Sequence, residues 1–118
     1  MRQLFSFLAL VLFFASCGEY QKVLKNEDVK NKYELAQELY EEEDYKRANR
    51  LFEQIAPKYV GKPQGERVMF FLADTYFQRE DYNMAGYQFE RFLKSYPQSE
   101  KDAGSRIYGC RELLRTFP

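Results

Sequence analysis

Covalent chemistry has few places to start in this chain. It has no histidine and two cysteines, Cys17 and Cys110, and its acidic side chains gather at Glu41, Glu42, Glu43, Asp44, Glu80 and Asp81. A carboxylate serves as a general acid or base when its surroundings tune its proton affinity. These carboxylates instead recur at matching places in two similar segments, the pattern of solvated faces and helix caps. A glycine-rich phosphate loop, a Gly-x-Ser-x-Gly elbow and a calcium loop with its central glycine are all missing. The expectation is a protein that is not an enzyme, with no cofactor and no metal. Eighteen basic residues balance eighteen acidic ones, for a formal net charge of zero, so electrostatics gives no reason to expect nucleic acid as a partner.

Binding is better served by the aromatic residues. Tyr33 and Tyr40 stand two helical turns apart, as do Phe70 and Phe77, with Gln37 and Asp74 between them. Lys30 and Arg67 fall one turn earlier on the same faces. Aromatic rings in a groove recognise peptides through buried apolar area with polar edges, and a guanidinium meets a peptide carboxylate through charge-assisted hydrogen bonds. Tyr33, Tyr40, Arg67, Phe70 and Phe77 are therefore the candidate peptide-binding residues. The competing expectation is that the rings fill the space between neighbouring hairpins.

A repeat of 37 residues must position them. Setting residues 30–59 over 67–96 gives nine identities: Leu35/Leu72, Ala36/Ala73, Glu43/Glu80, Asp44/Asp81, Tyr45/Tyr82, Ala48/Ala85, Phe52/Phe89, Glu53/Glu90 and Tyr59/Tyr96. Chance would give about two. In the first helix of each unit, Leu35, Ala36 and Leu39 form one apolar stripe, and Leu72, Ala73 and Tyr76 repeat it. In the second helices, Ala48, Leu51, Phe52 and Ile55, then Ala85, Phe89, Phe92 and Leu93, supply the facing stripe. Glu-Asp-Tyr between them leaves room only for a tight turn, and Pro97 ends the second hairpin.

The sequence from the apolar-Ala pair through Glu-Asp-Tyr, Ala and Phe resembles the tetratricopeptide repeat, whose unit has about 34 residues. Both units place Glu43 or Glu80 where that family commonly has glycine, and the extra length falls in residues 59–65. The resemblance implies an all-α fold of tetratricopeptide-like hairpins stacked as a short right-handed solenoid, with the candidate aromatics on its concave side. Such scaffolds function by displaying a surface.

At the N-terminus, Arg2 precedes an apolar run from Leu4 to Ala15 broken only by Ser6. That is too short to span a bilayer and reads as a signal-peptide core. Phe13-Phe14-Ala15-Ser16-Cys17-Gly18 resembles a bacterial lipoprotein box, in which the cysteine is acylated and becomes the mature N-terminus. The expected organisation is a signal peptide at 1–16, a lipidated polar tether at 17–28 in which Val23 and Leu24 begin packing, and repeats at 29–65 and 66–99. Residues 100–118 are expected to be an incomplete or aberrant third repeat. Gly104, Arg106 and Gly109 suit a repeat helix poorly, and no Asp-Tyr turn follows. A shifted reading frame over residues 107–118 can encode a better helix, so truncation or a frameshift is expected there. Cys110 is expected to be a small buried side chain rather than a disulfide partner of Cys17.

The lipobox, the long-period repeats and the opening Cys17-Gly18-Glu19-Tyr20-Gln21-Lys22-Val23-Leu24-Lys25 together resemble the BamD family in its Bacteroidetes form. That resemblance implies a non-enzymatic lipoprotein, anchored through Cys17 to the periplasmic face of the outer membrane. Its implied partners are barrel-assembly proteins and unfolded outer-membrane protein clients. Two other classes fit a lipid-anchored repeat: a scaffold coordinating cell-envelope or peptidoglycan enzymes, and a glycan-binding protein, which would favour the tryptophan this chain lacks. Cys17→Ala is predicted to abolish incorporation of a fatty-acid analogue in metabolic labelling; equal incorporation in both forms would refute acylation at Cys17.

Overall fold

The computed structural model describes residues 1–99 and Gly109, without the side chains of 12–17 and 99. The expectations for residues 100–118, Cys110 included, therefore lie outside the described residues apart from Gly109. Within residues 1–99 five helices follow one another: α1 (Arg2–Lys25), α2 (Val29–Glu41), α3 (Tyr45–Tyr59), α4 (Gly65–Gln78) and α5 (Tyr82–Ser95), followed by a 3-10 turn at Pro97–Ser99. From α2 onward each helix packs along the next. The result is two stacked helical hairpins, α2–α3 and α4–α5, and the described residues contain no strand. The fold is all-α, with hairpins of the tetratricopeptide kind.

The same device makes the turn in both hairpins. Among the described residues, Glu43 and Glu80 are the non-glycine residues with left-handed backbones, each at φ 62°. In the first turn the Glu43 N–H donates to the Tyr40 carbonyl at 3.1 Å and the Asp44 N–H to the Leu39 carbonyl at 2.8 Å. In the second, Glu80 donates to Phe77 and Asp81 to Tyr76, both at 3.0 Å. This is the Schellman arrangement, which satisfies helix-end carbonyls by turning one residue into the left-handed region. The next residue opens the following helix: the Asp44 carboxylate accepts from the Arg47 N–H and Asp81 from the Met84 N–H, each at 3.3 Å. One aspartate thus closes one helix and caps the next. The left-handed backbone also explains why glycine is common at this position, since only glycine reaches it without steric cost.

The core follows the repeat. Ala36, Ala48, Ala73, Ala85, Phe52 and Phe89 are all fully buried; the alanines let helix backbones approach while the phenylalanines fill the space between. Polar contacts set the register between hairpins. The Asn49 Nδ2 donates to Thr75 Oγ1 at 2.9 Å, and Arg79 donates to Asn49 Oδ1 at 2.7 Å. Residues 60–64 absorb the extra length of the repeat, as expected, with Gly61 at φ 79°. Gly65 starts α4 where a Cβ would lie 2.6 Å from the Tyr96 hydroxyl and closer still to the Tyr59 carbonyl oxygen.

The expected tether departs from expectation, because α1 stays helical to Lys25. Among its described side chains, Tyr20, Val23 and Leu24 meet the core, at i, i+3 and i+4, the spacing that puts side chains on one helix face. Tyr20 is buried, and its hydroxyl has no hydrogen-bond partner among the described residues. The apolar residues from Leu4 to Val11, by contrast, are exposed, and no described helix is long and apolar enough to cross a membrane.

Two predictions test these assignments. Glu43→Gly and Glu80→Gly are each expected to raise stability in urea by about 0.5–1 kcal/mol, relief of left-handed strain exceeding the added chain entropy. A loss of stability in both would refute the strained turn. Burial raises the Tyr20 phenol above its ordinary value of 10.0, Arg50 and Arg47 oppose the shift, and Asp44 adds to it. Its contribution is fully present below pH 10.0 and is lost as pH rises through the higher folded value. Tyr20→Phe should therefore melt like the wild type or slightly higher at neutral pH, and resist alkali better than the wild type above pH 10.0.

Candidate functional site

A groove of about 930 Å³ opens beside the first hairpin, lined by Val29, Lys30, Tyr33, Glu34 and Gln37 of α2, Lys58 and Tyr59 of α3, and Lys62 and Gln64 of the connection to α4. Its positions follow from local structure. Asp28 caps α2 by accepting from the N–H groups of Lys30 at 3.1 Å and Asn31 at 3.3 Å. That cap fixes the first turn, so Lys30, Tyr33, Glu34 and Gln37 fall on one face at i, i+3, i+4 and i+7. The long connection between repeats then brings Lys62 and Gln64 alongside.

Aromatic surface and positive charge meet in this groove. The Tyr33 and Tyr59 rings lie 5.8 Å apart, tilted by 40°, and the Lys62 ammonium sits 5.7 Å over the Tyr59 ring. The Tyr59 phenol is pushed above its ordinary range by burial first and by neighbouring Tyr33 second, so it remains a protonated donor at neutral pH. Lys30, Lys58 and Lys62 outnumber the single carboxylate, Glu34. The arrangement suits a ligand with an apolar or aromatic side chain and an adjacent negative group. Among the described residues no cluster of His, Cys, Asp or Glu could hold a metal.

The candidate residues named from sequence separate here. Tyr33 lines the groove. The Tyr40 hydroxyl donates to Asp74, which is fully buried, and its ring lies 4.7 Å from Phe71 and 5.5 Å from Tyr45. Phe70, half-buried, sits 5.9 Å from both Phe89 and Phe92. Phe77 packs edge-on against Tyr82 at 5.5 Å, and a Cβ at Gly109 would lie 3.9 Å from its ring. Arg67 is exposed and holds its guanidinium 5.5 Å over Phe71. The structure therefore brings Tyr33 and Lys30 together and keeps Tyr40, Arg67, Phe70 and Phe77 in other contacts.

Sequence reasoning missed Tyr59, Lys58, Lys62 and Phe71. Phe71 joins the hairpins, stacking 5.5 Å from Phe52 as well as meeting Tyr40. A signal for it existed: the repeat alignment pairs it with Glu34, and an acid exchanged for an aromatic marks a position that changes from groove wall to packed interior. Tyr59 was visible as a repeat identity with Tyr96, but three lysines from separate elements leave no motif.

No curated protein and no solved structure matches the chain. A family model described as outer membrane lipoprotein, YfiO, does match, over residues 25–108. That span holds both hairpins and the whole groove, and it covers more than two thirds of the sequence. Paired hairpins, a displayed groove and this match agree, and the chain belongs to the YfiO family of outer membrane lipoproteins.

Proposed function

We propose that this protein is a non-enzymatic scaffold of the outer-membrane β-barrel assembly machinery, anchored by acylated Cys17 on the periplasmic face and binding segments of unfolded outer-membrane proteins. Family membership supports the envelope location. The observation that carries the binding role is the Tyr33–Tyr59 groove rimmed by Lys30, Lys58 and Lys62. An unfolded barrel protein offers what such a groove takes: aromatic side chains on extended chain and, at its end, a free carboxylate.

In this reading Tyr33 and Tyr59 clasp an aromatic side chain and the lysines attract the carboxylate. Lysine serves here as a mobile point charge, which accepts varied peptide geometries where a guanidinium fork would impose one. Tyr40 acts one step removed, by holding the first hairpin to Asp74 and Phe71 of the second, while Phe70 and Phe77 pack within the second hairpin. Arg67 extends the positive charge along the face of α4. Attraction between exposed charges is screened beyond about 8 Å at physiological salt, so the lysines work at close range.

Calorimetry with a short peptide ending in an aromatic residue tests this. Tyr33→Ala is expected to weaken binding by about 2 kcal/mol, as truncation of a central interface aromatic does. Lys58→Gln combined with Lys62→Gln should weaken the free-acid peptide and spare its C-terminally amidated form. Phe70→Ala should chiefly lower thermal stability. Unchanged affinity in Tyr33→Ala, with the fold intact, would overturn the groove as the client site.

A further inference from the structure

In a lipoprotein the residues that follow the acylated cysteine decide whether the folded domain hangs on a loose string or is held. Here they are docked. Tyr20, one helical turn after Cys17, is 6% exposed, and the Arg47 guanidinium lies 5.3 Å over its ring. Val23 and Leu24 pack against the core one turn later. The last turn of α1 is fastened by Lys32, a buried residue of α2, whose Nζ donates to the Leu24 carbonyl at 3.3 Å and to Gln54 Oε1 of α3 at 2.6 Å. A buried ammonium spent on a helix-end carbonyl ties three helices at one point.

These contacts also fix direction. Tyr20 lies beside Leu39 and Glu42 near the end of α2 and Arg47 at the start of α3, whereas Leu24 meets Lys32 near the beginning of α2. Helix α1 thus runs antiparallel to α2. Its backbone continues helically from Tyr20 to Cys17, a rise of about 5 Å, which brings the anchor point level with the turn between α2 and α3. The groove lies at the opposite end of the hairpin, between the first turns of α2 and the last turn of α3.

We propose that the phospholipid surface is the partner of the α2–α3 turn end, and that the docked segment from Tyr20 to Lys25 holds the domain there with its groove facing away from the bilayer. The inference rests on acylation of Cys17 and on the groove as the client site. With Tyr33 eight residues before the end of α2 and Tyr59 at the far end of α3, the groove stands about 12–20 Å farther from the lipid than the turn. Lys46, Arg47 and Arg50 share the lipid end with Glu41, Glu42, Glu43 and Asp44, and Arg47 pairs with Asp44 at 2.6 Å, so the acyl chains and the docked helix, rather than net charge, hold it at the bilayer.

The test uses the acylated full-length protein on a Cys110→Ser background, in vesicles of phosphatidylethanolamine and phosphatidylglycerol carrying a headgroup nitroxide quencher. A fluorophore is placed through Lys46→Cys or Val60→Cys, one at each end of the first hairpin. Quenching is expected to be several-fold stronger at position 46 than at 60. A flexible Gly-Ser segment inserted after Gly18 leaves the docked residues in place and should abolish the difference, as should Tyr20→Ser with Leu24→Ser where circular dichroism shows an intact fold. Equal quenching at both positions, with the acyl mass present on the intact protein, would overturn the fixed orientation. A protein lacking the acyl mass would overturn the anchor reading and the orientation with it, while peptide binding in the same sample reports on the groove separately.

Discussion

Everything in this molecule hangs on a backbone reversal made within two residues. A helix leaves four carbonyls unpaired at its end and four N–H groups unpaired at the next beginning. The Glu-Asp step satisfies part of both sets at once, the glutamate by turning left-handed and the aspartate by capping. Because the reversal is so short, α2 and α3 must lie antiparallel and close, and likewise α4 and α5. That closeness demands Ala36, Ala48, Ala73 and Ala85 at the contacts, and the bulk of Phe52 and Phe89 beside them. A longer turn would relax the demand and lose the fixed spacing on which hairpin stacking depends.

Stacking uses a different chemistry from hairpin closure. Within a hairpin the contacts are mainly apolar, the Lys32–Gln54 hydrogen bond aside; between hairpins polar groups set the register. Asn49, Thr75 and Arg79 form a short chain of hydrogen bonds, and Tyr40 reaches the buried Asp74. Hydrophobic contact alone tolerates sliding, whereas a hydrogen bond with one donor and one acceptor does not, and a buried polar group left unpaired costs about 1–3 kcal/mol. The first hairpin is thereby held to the second in one register. It can then present a groove whose walls come from two helices and the connection that follows them.

Most of the fold was legible in the sequence because it repeats. The 37-residue period located both hairpins, both turns, the capping aspartates and most of the core, since each is a local consequence of residue type and spacing; it did not mark the buried Ala56, Val68 and Met69. The docking of α1 was legible only in part. Val23 and Leu24 stood out as apolar, but Tyr20 lies among charged and polar neighbours, and its burial depends on a surface offered by α2 and α3. The candidate site was least legible. Tyr33 was identified from its helical face, but whether a ring on that face lines a groove or fills an interior is decided by which hairpin lies beside it. Tyr40 and Phe70 share the pattern of Tyr33 and have packed neighbours. The lysines of the groove come from separate elements, and no spacing rule connects Lys30 to Lys58 and Lys62.

The connection of residues 60–64 has a consequence for how such a site can change. Hairpin turns permit no insertion, and Gly65 permits no side chain where α4 begins. The stretch between these constraints, by contrast, is exposed on its outer side and touches the groove through Lys62 and Gln64. Lengthening a loop is inexpensive, about 0.6 kcal/mol for each doubling. The groove is therefore adjustable from a part of the chain that carries little of the stability, so its charge and reach can be retuned while the hairpins that hold it stay as they are.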